Sequence, residues 1–133
     1  MINQFALNKA LLDKLKSITG LTIAVNGSKF TPEIEQDYIA EKEVATSIES
    51  KVGSGSDVQR GFYQVTICTP LVKRRFYNLD IVDSIMSHFT RGTSAGIEFN
   101  GQKVSISTIQ PSGIYNDETH LKTALTIRYT VIA

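Results

Sequence analysis

Arg60-Gly61-Phe62-Tyr63-Gln64-Val65-Thr66-Ile67-Cys68-Thr69 is the stretch that decides the architecture of this chain. Tyr63, Val65 and Ile67 project to one side of an extended strand, and Phe62, Gln64, Thr66 and Cys68 to the other. One face is therefore wholly apolar and suits a central strand of a sheet. The strand is entered from the flexible run Gly53-Ser54-Gly55-Ser56-Asp57 and is followed by Pro70 and the basic Lys73-Arg74-Arg75.

On the amino-terminal side, Leu7, Leu11, Leu15 and Ile18 fall on one side of a helical wheel and Lys9, Asp13 and Lys16 on the other, predicting an amphipathic helix with Gly20 as its stop. Leu21 to Val25 reads as a short strand that ends in the turn Asn26-Gly27-Ser28. Phe30-Thr31-Pro32 is an extended connector, because a residue before proline is pushed away from helical angles. From Asp37 to Ile48, Tyr38, Ala40, Val44 and Ile48 share a side with Lys42 and Thr46, which predicts an edge or partly exposed strand.

On the carboxyl-terminal side, a second helix is expected to begin between Lys73 and Asn78. Leu79, Val82, Ile85, Met86 and Phe89 line one side of it, and Arg91-Gly92 is expected to close it. Ile97-Glu98-Phe99 and Val104-Ser105-Ile106 flank Asn100-Gly101, the strongest short hairpin signal in a sequence. Pro111 to Thr119 reads as a polar loop. The final strand sets Leu121, Thr123, Leu125, Ile127, Tyr129 and Val131 against Lys122, Thr126, Arg128 and Thr130. This order predicts an α+β fold, an antiparallel or mixed β-sheet with two α-helices packed on one face, in a single domain spanning residues 1–133.

Composition limits the function. The chain has 133 residues, 41% of them hydrophobic, and 14 basic against 13 acidic side chains, for a formal charge of +1. That balance is far from the basic excess of a nucleic-acid binder. The single Cys68 cannot form an intramolecular disulfide, and no Cys/His cluster has the spacing of a zinc site. No apolar run approaches the roughly 20 residues that span a bilayer, and the first residues lack a signal-peptide pattern. A soluble, unprocessed chain without membrane contact is the expectation, in keeping with synthesis in a reducing cytoplasm.

Gly96 to Lys103 has the outline of a phosphate-binding loop, but its Lys does not follow the second Gly, no Ser or Thr follows the Lys, and a hairpin explains the segment better. His88 and His120 are the only imidazoles. A hydrolytic site would need one of them beside Cys68 or a serine and held by a carboxylate, and both read instead as surface or boundary residues. Cys68 reads as a small hydrophobe within the sheet. For Lys73-Arg74-Arg75-Phe76-Tyr77 the plainest account is a solvated helix entry whose aromatics pack inward. Two rival classes remain: a small nucleic-acid-binding α+β module using that cluster with Lys122 and Arg128, and a hydrolase built around Cys68.

The leading amphipathic helix, Phe30-Thr31-Pro32, the polar strand with Tyr38, Arg60-Gly61-Phe62-Tyr63-Gln64-Val65, Phe89-Thr90-Arg91-Gly92 and the hairpin leading to Val104-Ser105-Ile106 together resemble phage tail terminators. These are the tail-completion proteins related to the minor tail protein U type of long-tailed phages. The likeness spans nearly the whole chain. It implies a mixed sheet with packed helices, subunits closing into a hexameric ring, and a ring that caps the tail tube, ends its polymerisation and offers the head-tail joining surface. It also implies a virion protein at the head-proximal end of the tail, assembled in the host cytoplasm. Its partners would be the tail tube protein and the connector or neck proteins, with no cofactor and no specific nucleic-acid contact. A neighbouring neck or tail-tube component is the closest competing role.

By that resemblance Arg60 and Gly61 match the family's strand entry, where glycine relieves crowding and the arginine reaches a carboxylate, and Arg91-Gly92 matches its helix end. Lys73-Arg74-Arg75 departs from the Gly/Ala-rich connection expected there. Flexibility, charge and isolated apolar groups nominate Gly53, Ser54, Gly55, Ser56, Asp57, Arg60, Lys73, Arg74, Arg75, Arg91, Ile114, Tyr115 and Asp117 as interface residues.

Overall fold

The computed structural model describes residues 2–33, 35–50, 57–89 and 97–132. Helix α1 (Gln4–Ile18) starts where the Asn3 side chain accepts the Ala6 amide proton at 3.0 Å. Strands β1 (Thr22–Ala24), β2 (Tyr38–Ser50) and β3 (Asp57–Pro70) follow, then a single 3-10 turn at Leu71–Lys73 and helix α2 (Arg74–Met86). The chain finishes with β4 (Glu98–Phe99), β5 (Gln102–Pro111), β6 (Tyr115–Asn116) and β7 (His120–Ile132).

The strand order is β1-β2-β3-β7-β5-β4, with β6 also paired to β7. Only β1 and β2 run parallel. The predicted central strand is central: β3 lies between β2 and β7, and its ladder with β7 runs without interruption from Val58↔Ile132 to Pro70↔His120. Both helices cover the face that carries Tyr63, Val65 and Ile67, so Leu7, Leu11 and Leu15 of α1 and Val82 and Ile85 of α2 join Leu125, Ile127 and Val131 in one core. Each of those leucines is fully buried, a gain of about 1.5–3 kcal/mol apiece.

The Asn100-Gly101 hairpin forms as its sequence demands, with φ of 49° and 76° at the two turn residues. Gly27, at φ 86°, closes the turn in which the Ser28 amide donates to the Val25 carbonyl.

Several expectations are corrected. Helix α1 ends at Ile18 because Thr19 is already extended, so Gly20 is not its cap. Helix α2 ends at Met86, where Ser87 to Phe89 tighten into turns whose amides return to Asp83, Ile85 and Met86; Arg91 and Gly92 lie outside the described residues. On β2 the helix-covered side carries Ile39, Glu41 and Glu43, not Tyr38, Ala40 and Val44, and a bulge at Thr46 then reverses the alternation. The polar loop of 111–119 is the outer arm of a hairpin. β5 continues to Pro111, Ser112 brackets Ala124 with two hydrogen bonds, and β6 pairs Tyr115 with Lys122 before the turn at Asp117.

One buried polar group ties α2 to the sheet. The Asn78 amide donates to the Ile67 and Leu121 carbonyls and to Thr69 Oγ1, while its oxygen accepts from Thr123 at 2.6 Å. Both ends of this buried amide are thus engaged, which fixes the helix against β3 and β7.

Candidate interaction surfaces

Gly61 sits where the sheet is tightest. A Cβ there would lie 2.3 Å from the Val44 carbonyl oxygen and 2.7 Å from the Tyr129 hydroxyl. With no side chain in the way, the Tyr129 ring crosses β3 and its hydroxyl donates to Glu43 on β2 while accepting from Gln59 at 2.9 Å. The Gln59 amide in turn exchanges hydrogen bonds with Gln4 at the start of α1. Farther along the sheet, Tyr63 donates to Glu41 at 3.2 Å. Burial first, then the neighbouring carboxylates, push both phenols well above their ordinary range, so they remain neutral donors.

Arg60 does reach a carboxylate, Glu49 of β2, at 3.9 Å, but both side chains are more than half exposed and the pair is weak. Asp57 opens β3 and accepts from Ser50 at 2.7 Å. Gly53, Ser54, Gly55, Ser56 and Arg91 lie outside the described residues.

At the other end of β3 the basic cluster divides. Lys73 pairs with Asp37 at 3.4 Å and lies 4.5 Å from the Tyr77 ring centroid, and the Tyr77 hydroxyl also donates to Asp37. Its ammonium is raised above the ordinary value, first by the Tyr77 hydroxyl and then by Asp37. Neither Arg74 nor Arg75 makes an ion pair among the described residues, and Arg75 lies against the Phe76 ring. Arg74 holds φ 63° and ψ 179°, a conformation suited to glycine. The aromatics do not pack inward as expected. Phe76 is 72% exposed and Val72 76%, with Leu71 and Tyr77 also in solvent, because the 3-10 turn carries this corner past the end of the sheet.

Ile114 is half-buried and Tyr115 exposed on the β5–β6 arm. Asp117 shapes the turn into β7: one oxygen accepts the amides of Thr119 and His120 at 2.8 Å each, and the other pairs with Lys122 at 3.0 Å. The Thr119 amide, then Lys122, hold this carboxyl well below the usual carboxylate range.

His120 is buried, not a boundary residue. Its Nε2 donates to the Gln36 carbonyl at 2.9 Å, its Nδ1 meets Thr119 Oγ1 at 2.7 Å, and its ring stands edge-on to Tyr38. Cys68 stands opposite Tyr38 in the β2–β3 ladder and its thiol donates to the Thr66 carbonyl at 3.8 Å, with no imidazole as partner among the described residues. Burial pushes the Cys68 thiol up and the Tyr38 phenol up to about 12, so neither is poised to act as a nucleophile at neutral pH. His88 is exposed at the end of α2 with Nδ1 on the Ser84 carbonyl. Among the described residues no group of His, Cys, Asp and Glu is arranged to hold a metal ion, and no helix is long and apolar enough to cross a membrane.

Three further hydrophobics, Phe5, Ile48 and Ile132, are exposed. Phe5 is the legible one, since it falls opposite Leu7 and Leu11 on the helical wheel. Ile48 is hidden by the bulge at Thr46, and Ile132 by the apparent symmetry of the last strand.

The exposed hydrophobics of this arrangement are candidate contact surfaces. No curated protein matches the chain. A solved structure matches with a TM-score of 0.72 at 21% identity, covering 96% of this chain and 92% of its own length, which confirms the α+β fold. The family model described as phage tail terminator protein matches residues 4–129. By that match over nearly its whole length, the chain belongs to the phage tail terminator protein family.

Proposed function

We propose that this protein closes into a hexameric ring on the head-proximal end of the phage tail tube, stops the tube from growing and presents the surface that joins the tail to the head connector. Residues 1–133 act as one unit in this role. It is a structural role in the virion, without catalysis, cofactor or specific nucleic-acid contact, and assembly takes place in the host cytoplasm.

The observation that carries this reading is the exposed corner Leu71-Val72-Phe76-Tyr77 beside Arg74 and Arg75, in a chain of this family. Contiguous exposed hydrophobics rimmed by charge mark a protein contact. A cap must also offer one ring face that fits the tube and another that does not, so that addition stops. Residues 53–60, of which Asp57 to Arg60 open β3, and the Pro111 to Thr119 arm are the segments assigned to subunit or tube contact.

The direct test is to remove the gene from its phage and measure tails by electron microscopy. The reading predicts tubes of uncontrolled length without heads, restored to uniform length by the wild-type chain. A shortened Gly53-Ser56 segment should fold yet fail to restore them. Tails of normal length and normal head attachment in the absence of the protein would overturn the proposal.

A further inference from the structure

Strand β2 is a sheet edge for most of its length. Among the described residues only β1 lies on its outer side, and that pairing stops at Ala24↔Ala40. β1 goes no farther because its chain turns away: the Ser28 amide donates to the Val25 carbonyl, and the Asn26 amide to the Glu41 carboxylate at 3.2 Å. From Glu41 to Ala45, before the bulge at Thr46, a regular stretch of β2 therefore has one side of its ladder open among the described residues. A strand side of this kind presents N–H and C=O groups that an added extended chain pairs in register.

Helix α1 overhangs the same place. Leu7, Leu11 and Leu15 point into the core, but a second stripe, Phe5, Asn8, Lys9 and Leu12, falls at i, i+3, i+4 and i+7 and faces Val25 and Asn26 across a groove of about 290 Å³. The helix runs back along β2, since Asn8 donates to Glu43 at 3.4 Å and Gln4 is bonded to Gln59, the ladder partner of Ile48. Leu12 and Val25 thus stand at one end of the open stretch, and Phe5 and Ile48, 77% and 59% exposed, at the other. An apolar helix stripe beside an unpaired strand is the lining of a strand position that this chain leaves unfilled.

Charge does not select the occupant, because Lys9 and Lys42 are offset by Glu41 and Glu43, which accept from Tyr63 and Tyr129. Backbone pairing and apolar spacing do. Among the described residues the chain has no suitable strand of its own to lend: β3 and β7 are central, β1, β4 and β6 are too short, and β5 is broken by the bulge at Ser107 and closed by Pro111, which has no N–H.

We infer that this groove takes an extended segment of another protein, which adds a strand to β2 in the line of β1. Phe5 and Leu12 lie about 10 Å apart along the helix axis, and Val25 and Ile48 lengthen the apolar track at its two ends. Side chains on one face of a strand lie about 13 Å apart from i to i+4. The segment therefore carries apolar residues at i and i+4, with a small polar residue at i+2 to meet Asn8 and Lys9. The site is distinct from the Leu71–Tyr77 corner and does not depend on the ring proposed above.

The test uses the capped peptide Thr-Val-Thr-Ser-Thr-Val-Thr, whose valines stand at i and i+4, with hydrogen-exchange mass spectrometry of the whole chain. Saturating peptide should slow exchange in Glu41–Ala45 and leave the Leu71–Tyr77 corner unchanged. Of two versions N-methylated at alternate residues, one should lose binding and the other keep it, because only one set of amides faces β2. Phe5→Ser/Leu12→Ser, at an exposed and a half-buried position outside the core, should fold by circular dichroism yet bind about tenfold more weakly or worse. No protection of Glu41–Ala45 at millimolar peptide, equal binding by both methylated versions, or undiminished binding by the folded variant would overturn the proposal. Protection of Glu41–Ala45 without peptide that grows with protein concentration would overturn it too, by assigning the edge to a second copy. Tail length in the deletion phage reads the capping role separately, so either proposal can fail alone.

Discussion

Gly61 and Arg74 stand near opposite ends of the same strand run and solve opposite problems. At Gly61 the residue that removes all bulk lets Tyr129 reach across to Glu43 and Gln59, and α1, β2, β3 and β7 are locked through one hydroxyl. At Arg74 a residue with a long charged side chain holds a backbone conformation that glycine would hold without strain, among hydrophobics left in water. The first arrangement favours the folded chain at every step. The second lowers the stability of the lone chain, and in the proposed role a partner would cover the corner. On that reading stability and contact are built in different places, which allows one to be changed without the other.

The sharpest break of this comparison is Gly61→Ala. Its methyl would collide with backbone and displace the Tyr129 hydroxyl, and it should lower stability by about 3 kcal/mol in urea unfolding, mostly through overpacking and the lost polar partners. An unchanged midpoint would mean that the crossing does not hold the sheet. Tyr129→Phe removes only the hydroxyl and should lose about 1–2 kcal/mol, since a bond to a carboxylate disappears and Gln59 is left one acceptor short.

At the other site the sign reverses. Arg74→Gly should raise the stability of the isolated chain by about 1 kcal/mol, because the strain of a non-glycine residue at that φ is relieved, while ring formation weakens. A stability loss there would mean that the conformation is comfortable for arginine. Phe76→Ser, in an exposed position, should move the unfolding midpoint by less than about 0.5 kcal/mol yet reduce ring formation.

The smallest effect is confined to acid. Asp117 is lowered from its ordinary 3.8 on folding, so its stabilisation is complete above that value and fades as pH falls through the lower folded value. Asp117→Asn should therefore melt below the wild type at neutral pH, and the two curves should converge as the pH drops beneath 3.8. A gap that stays constant with pH would show that the carboxylate charge is not what holds the β6–β7 turn.

Much of the fold was legible because its signals are local. Alternation in Arg60–Thr69 and Leu121–Val131, the wheel of α1 and the Asn100-Gly101 turn each depend on residues a few positions apart, and each formed. What was not legible depends on register between distant segments. Glu41 and Glu43 read as solvent-facing residues of a polar strand until β3 and β7 bring Tyr63 and Tyr129 over them. The bulges at Thr46 and Ser107 shift the parity of β2 and β5, so alternation counted along the sequence loses the face beyond them. Asn78 shows no periodic signal, since it is a polar residue on the buried side of α2 whose partners come from two strands. The Leu71–Tyr77 corner reads inside out for a related reason: the aromatics beside the helix start are expected to pack inward, and only the 3-10 turn after Pro70 reveals that Phe76 points away from the core.

The most direct test of the central claim is negative-stain electron microscopy of the purified protein with and without tail tubes. The account predicts closed rings of uniform size in the free protein, and a single ring seated at one end of each tube that then no longer elongates. Tubes that keep growing at both ends in excess protein, with no ring attached, would contradict it.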